Sequence, residues 1–299
     1  MKKAIVTGAN GYVGSWLVKE LIKNNVEVIA VVRNKESNIY TIPKGVRVIY
    51  CELNDISNLV NKVVDRDVDV FFHLAWCGAS GISRTDYEVQ LLNSKYACDC
   101  AITAKKINCK KIICVGTITE KIVEDIFDYN INSENLIYGI AKHTTHCLLE
   151  VLCKKIELDF IWARLSNVYG ANNSPNNIVS YTIRELKNCR SPVFSTANQP
   201  YDFLHVKDAA SALYLLGYKE YKQSCYYIGS GNPKILKRYL MIICSAFGKD
   251  AKLYLGKKPD DGIKYFIQWF DIKQLQEDTG FKPFYTFEEG IKETIEIDN

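Results

Sequence analysis

No stretch of the 299 residues approaches the 18 consecutive apolar positions that a membrane-crossing helix needs. Long basic runs are also missing: the net charge is +4, with Lys and Arg scattered, so no nucleic-acid stripe is expected. The eleven cysteines show no paired spacing, and the opening MKKAIVTG carries no apolar signal segment. Cys114, Cys147, Cys153 and Cys244 sit within apolar runs, where a reduced thiol behaves as a small hydrophobe. The expectation is a reduced, soluble, cytoplasmic protein. His143-x-x-His146-Cys147 has helical spacing, but no third ligand pattern accompanies it, and no metal is expected. Internal repeats and low-complexity segments are absent.

What the chain does contain is alternation. With 47% hydrophobic residues it has ample material for a core. Nearly continuous apolar runs at 3–7, 26–32, 46–50, 68–74, 111–116 and 158–164 suit strands buried on both faces of a parallel sheet. Helical patterns at about 12–23, 56–64, 86–107 and 138–156 separate them. The fold class expected is α/β, a doubly wound parallel sheet with right-handed crossovers. After Tyr169-Gly170 the pattern changes to helices near 176–188, 206–217 and 234–247, with short strands at 192–195 and 225–228. This divides the chain into a dinucleotide-binding part over 1–166, with a strand/helix return near 202–217, and a smaller α-rich substrate part over 167–299.

Gly8, Gly11 and Gly14 in VTGANGYVGSW follow the first strand and open the first helix. Glycine there permits positive φ and lets backbone N–H groups approach a diphosphate, while the helix N-terminus supplies partial positive charge. The third glycine lets the helix pack close. At the end of the second strand, VVRNK places Arg33 where an acid would bond the ribose 2′-OH of NAD; an arginine accommodates a 2′-phosphate, so NADP(H) is favoured over NAD(H). Tyr138 and Lys142 in IYGIAK lie one helical turn apart, where an ammonium can stabilise a phenolate.

Together with Thr117 after KIICVG and the segment RLSNVYG, these motifs resemble the extended short-chain dehydrogenase/reductase family over nearly the whole chain, most strongly in the first 170 residues. The resemblance implies hydride transfer, with Tyr138 passing the proton, Thr117 polarising the carbonyl, and Lys142 tuning Tyr138 and holding the nicotinamide ribose. It further implies cofactor contacts from Asn10, Tyr12, Val13, Glu52, Leu53, Leu74, Ala75, Trp76, Asn93, Leu165, Asn167 and Val168. Asn167, Tyr201, His205 and Lys258 fall on substrate segments that hold a nucleotide-sugar in many relatives. A homodimer through the helices at 86–107 and 138–156 is also implied.

The family's pattern breaks in two places. Dehydratases have Asp-Glu directly after the catalytic Thr; Ile118-Thr119 stand here, which argues against sugar dehydration. The family arginine that meets the substrate diphosphate is Tyr201, and a later one is Lys258; Arg190, Lys257 and Arg238 are candidates to compensate. The expected activity is NADPH-dependent reduction of a nucleotide-linked 4-keto sugar, with an NAD-dependent C4 epimerase as the alternative. A cofactor sensor without turnover is a third reading, disfavoured because Tyr138 and Lys142 are both present.

Overall fold

A computed structural model describes residues 1–125, 134, 136–173, 177–248 and 251–297. The first half runs β1 (Lys3–Thr7), α1 (Tyr12–Lys23), β2 (Glu27–Val32), β3 (Arg47–Tyr50), α2 (Leu59–Lys62) and β4 (Val70–His73). Next come α3 (Tyr87–Ile107), β5 (Lys111–Thr117), α4 (Thr119–Asp125), α5 (Leu136–Lys155) and β6 (Asp159–Leu165). The remainder comprises β7 (Asn167–Tyr169), α6 (Ile178–Lys187), β8 (Pro200–Tyr201), β9 (Phe203–His205), α7 (Val206–Tyr218) and β10 (Cys225–Ile228). β11 (Lys234–Ile235), α8 (Leu236–Ser245), α9 (Lys273–Thr279) and α10 (Phe287–Ile297) complete it.

Seven strands form one parallel sheet in the order β3-β2-β1-β4-β5-β6-β10. Its first six reproduce the strand order of doubly wound dinucleotide folds, with the reversal between β1 and β4. Because successive strand residues face opposite sides, Val6 and Phe72 enter one core and Ile5 and Phe71 the other. The first core is closed by Leu17, Val18 and Leu21 of α1 with Ala209, Leu213 and Leu216 of α7. Ala97, Ala101 and Ala104 of α3 with Leu149 and Cys153 of α5 close the second. A third cluster gathers α6, α8 and α10 around Tyr169, Phe203, Tyr239 and Phe287.

Two expectations are corrected and a third, met as to the strand itself, is extended. The helix at 56–64 is a 3₁₀ turn over Leu53–Asn58 followed by the single turn of α2; Asp55 is non-helical (φ −114°, ψ 18°), and its carboxylate accepts from Asn58 instead. Strand 192–195 reduces to one bridge between Val193 and Tyr254, beside which Gly256 donates to the Ser195 carbonyl and Lys257 and Lys258 to that of Phe194. The segment 225–228 is a strand, but it pairs with β6 as the seventh strand of the main sheet.

Register brings the sheet's carboxyl ends into line. Thr7 pairs with Val31 and with His73, His73 with Cys114, and Thr117 with Leu165. Gly8, Leu74, Thr117 and Asn167 therefore emerge at one edge, which is where ligands of open α/β sheets bind.

Candidate active site

The corner after β1 is made of backbone. Gly8 has φ +67°, and a Cβ on it would lie 2.8 Å from the backbone nitrogen of Ala75. A Cβ on Gly14 would lie 2.0 Å from the carbonyl oxygen of Gly8, so α1 approaches the turn as only a glycine allows. No side chain caps the first turn of α1 at Gly11, and that turn carries no acidic residue. Tyr12 and Val13, its first two residues, thus begin a helix N-terminus suited to an anion. The cradle fits a dinucleotide diphosphate.

Around this corner, Asn10 donates from Nδ2 to the Asn38 carbonyl (3.0 Å), tying the loop after β2 over the turn. Arg33 is exposed at the end of β2 and meets no carboxylate among the described residues. Glu52 precedes the 3₁₀ turn that Leu53 opens, one strand further out. Leu74 and Ala75 lie against the glycine turn, whereas Asn93 is buried and spent on the chain itself: it accepts from the Cys77 N–H and donates to the Cys77 carbonyl, both at 2.8 Å.

Thr117 ends β5, its hydroxyl 3.2 Å from that of Thr119. Its N–H donates to Oε1 of Glu120 at 2.6 Å. Tyr138, on the first turn of α5, is buried, which pushes its phenol up; the Arg84 charge and hydrogen bonds with Arg84 and Thr117 oppose that, and Glu120 reinforces it. Lys142 lies below, donating to the Val115 carbonyl (2.8 Å) and sitting 3.6 Å from the ring centre of Trp76. Burial pushes its ammonium down to about 7, with Glu120 and Cys114 acting in the opposite sense. Lys142 is 5.9 Å from the Tyr138 ring centre, while the Arg84 guanidinium is at 3.8 Å.

Glu120 is the acid nearest Thr117 in sequence, but its carboxylate is fully engaged by the Thr117 N–H, the Trp162 indole (2.8 Å) and Arg164 (3.1 Å). Glu120, Glu124 and His143 do come within 4.8 Å of one another, yet both carboxylates pair with Arg164.

A cleft of about 450 Å³ opens within the C-terminal part, lined among others by Tyr181, Arg184, Tyr201, Lys258 and Tyr265. A smaller recess joins Tyr201 and Asn167 to Ile118, Thr119 and Trp269. Tyr201 and Lys258 are thus brought to the cleft, and Asn167 to the smaller recess; Leu165 and Val168 lie on either side of Asn167 along the chain. His205 is not. It packs 4.0 Å from the Tyr285 ring, lies 3.6 Å from Glu293, and among the described residues has no hydrogen bond at either ring nitrogen. Of the compensating cations, Arg190 pairs with Glu185 at 2.7 Å, while Arg184, missed in the sequence, lines the cleft. Arg84 was also missed, since it belongs to no spacing rule.

The pattern of the NAD dependent epimerase/dehydratase family matches residues 4–229, and the chain belongs to that family, an NAD(P)-dependent enzyme of the extended short-chain dehydrogenase/reductase type. Among its relatives, a putative UDP-glucose 4-epimerase of Methanocaldococcus jannaschii is 26% identical, covering 97% of this chain and 96% of the relative. The CDP-abequose synthase of Salmonella typhimurium is 25% identical over 97% of this chain and 96% of its own. The UDP-glucose 4-epimerase of Thermotoga maritima, solved with UDP-glucose, has the same fold: TM-score 0.81 at 22% identity, covering 99% of this chain and 98% of that one.

Proposed function

We propose that the protein is an NADPH-dependent reductase of a nucleotide-linked 4-keto deoxysugar. The observation that carries the cofactor choice is Arg33, an exposed cation at the tip of β2 with no acidic partner among the described residues. A guanidinium there can take the 2′-phosphate as a charge-assisted pair. The glycine corner, Leu74, Ala75 and the first turn of α1 would hold the diphosphate and adenosine half, and Lys142, Asn167 and Val168 the nicotinamide end. When bound, the cofactor supplies hydride from its nicotinamide ring to the carbonyl carbon of the sugar.

The chain's own part is to place the carbonyl and move a proton. Thr117 donates a hydrogen bond to the carbonyl oxygen, polarising it, and the Tyr138 hydroxyl hands that oxygen its proton as hydride arrives. Lys142 holds the floor of the pocket. The nucleotide lies along the 450 Å³ cleft, with Tyr181, Tyr201 and Tyr265 offering aromatic faces and Lys258 and Arg184 the positive charge for its diphosphate. That the carboxylate of Glu120 is engaged elsewhere supports reduction over dehydration.

A second reading, NAD-dependent C4 epimerisation, draws support from whole-chain similarity to a putative UDP-glucose 4-epimerase. Thermal unfolding with NADPH or NADH, paired with UDP-, dTDP- and CDP-linked sugars, separates the two. A larger stabilisation by NADPH, with its oxidation in the presence of a 4-keto sugar, is the expected result. Larger shifts with NADH, or sugar conversion without net oxidation, would favour the epimerase.

We further propose a homodimer through α3 and α5. Tyr87, Leu91 and Ile102 on α3 and Ile140, Leu148 and Val151 on α5 are exposed apolar residues, and Val151 is 70% exposed. Light scattering at twice the monomer mass, lost in a Leu91→Asp, Val151→Asp variant, is the expected result.

A further inference from the structure

The loop between β4 and α3 is built more tightly than a surface connection requires. Gly78 (φ +68°) and Gly81 (φ +72°) reverse the chain, and a Cβ at Gly78 would lie 2.5 Å from the Ser83 carbonyl oxygen. Buried Gln90 donates from Nε2 to the carbonyls of Gly78 (3.0 Å) and Ser83 (2.8 Å), and accepts from the Trp76 indole (2.8 Å). Asn93 holds Cys77 at both backbone groups. What this scaffold presents is Arg84. Its Nη1 donates to the Ala79 carbonyl (2.8 Å), and its guanidinium carbon lies 3.8 Å from the centre of the Tyr138 ring. No carboxylate among the described residues forms an ion pair with it.

Lys142 is committed to the Val115 carbonyl and to the Trp76 face, so the phenol has a different cation as its nearest neighbour. We propose that Arg84 is a positioning residue for proton transfer, acting through Tyr138: its guanidinium, held on the ring by the β4–α3 loop, is the charge that favours the phenolate. The inference rests on Tyr138 being the acid/base of the proposed reaction. Arginine suits this role because it stays charged at any working pH and stacks on aromatic rings. The groups facing Tyr138 are the Thr117 hydroxyl from β5, the Glu120 carboxylate from α4, Lys142 from α5 itself, and Arg84 from the loop. Among the described residues, only Glu120 opposes the phenolate by charge.

Tyrosinate absorbance, titrated between pH 7 and 12, tests this without substrate or cofactor, so its outcome is separate from that of the reductase reading. Subtracting the Tyr138→Phe curve isolates one ionisation among 19 tyrosines. In Arg84→Gln and Arg84→Met that step is expected to move up by about one to two pH units or out of the titrated range altogether. Arg84→Lys, which keeps a charge, is expected to recover at least half of the difference. A step at the same pH in wild type and in a folded neutral variant would overturn the proposal. Loss of folding in both neutral variants, with Arg84→Lys folded, would assign Arg84 to structure and overturn it equally.

Discussion

The two ends of the candidate site are made of different material. At the corner after β1, the surface offered to a ligand is backbone: a turn at Gly8, a helix start at Gly11 without a side-chain cap, and a contact between Gly14 and Gly8 that leaves no room for a methyl group. At the Tyr138 end it is side chains, delivered by β5, α4, α5 and the β4–α3 loop and held by other side chains such as Gln90, Asn93 and Glu120. A backbone site tolerates almost any neighbour but not an added Cβ. A side-chain site tolerates small changes of shape but not a change of charge or proton.

Tyr138→Phe should therefore give the largest change in turnover, about 10²–10⁴-fold lower, with dinucleotide binding and the unfolding midpoint unchanged. Equal turnover would remove the chemistry from the side-chain end. Gly14→Ala should do the reverse, costing roughly 1–3 kcal/mol of stability and abolishing dinucleotide binding; denaturant unfolding and a cofactor titration check both. Arg33→Ala sharpens the contrast, because it is a side chain added to the backbone corner. NADPH affinity should fall about tenfold to a hundredfold, while NADH affinity stays within about twofold.

His205→Phe has the smallest expected effect. Burial pushes His205 down to about 4, as it does His146 (to about 4) and His73 (to about 3). All three lie below the value of about 6.5 in an unfolded chain. The unfolded state then binds more protons between pH 6.5 and 4, so stability is present above 6.5 and declines as pH falls. Replacing His205 should make that decline shallower by about 1 kcal/mol or more, with activity at pH 7 retained. Loss of activity would return His205 to the substrate site.

The same division explains what could be read in advance. Six strands and the glycine corner follow from local apolar runs and from residues three apart, so they were legible to within a residue or two. The seventh strand at 225–228 was visible as a strand, but its parallel partner β6 lies about 60 positions away, beyond any local pattern. Tyr138 and Lys142 show as a pair one helical turn apart, and Thr117 joins them through family resemblance. Arg84 does not, because its role depends on two glycine reversals and on Gln90 holding the loop, and no periodicity encodes that. His205 sits beside a recognisable segment yet faces α10, since the turn into α7 aims it at Tyr285 and Glu293.

The most direct measurement is isotope transfer. With NADPH deuterated at the nicotinamide C4 and a nucleotide-linked 4-keto sugar, the account predicts one deuterium on the reduced sugar carbon, on a single face. It also predicts that transfer is slowed in Tyr138→Phe. A product without deuterium, or transfer at the same rate in that variant, would contradict it.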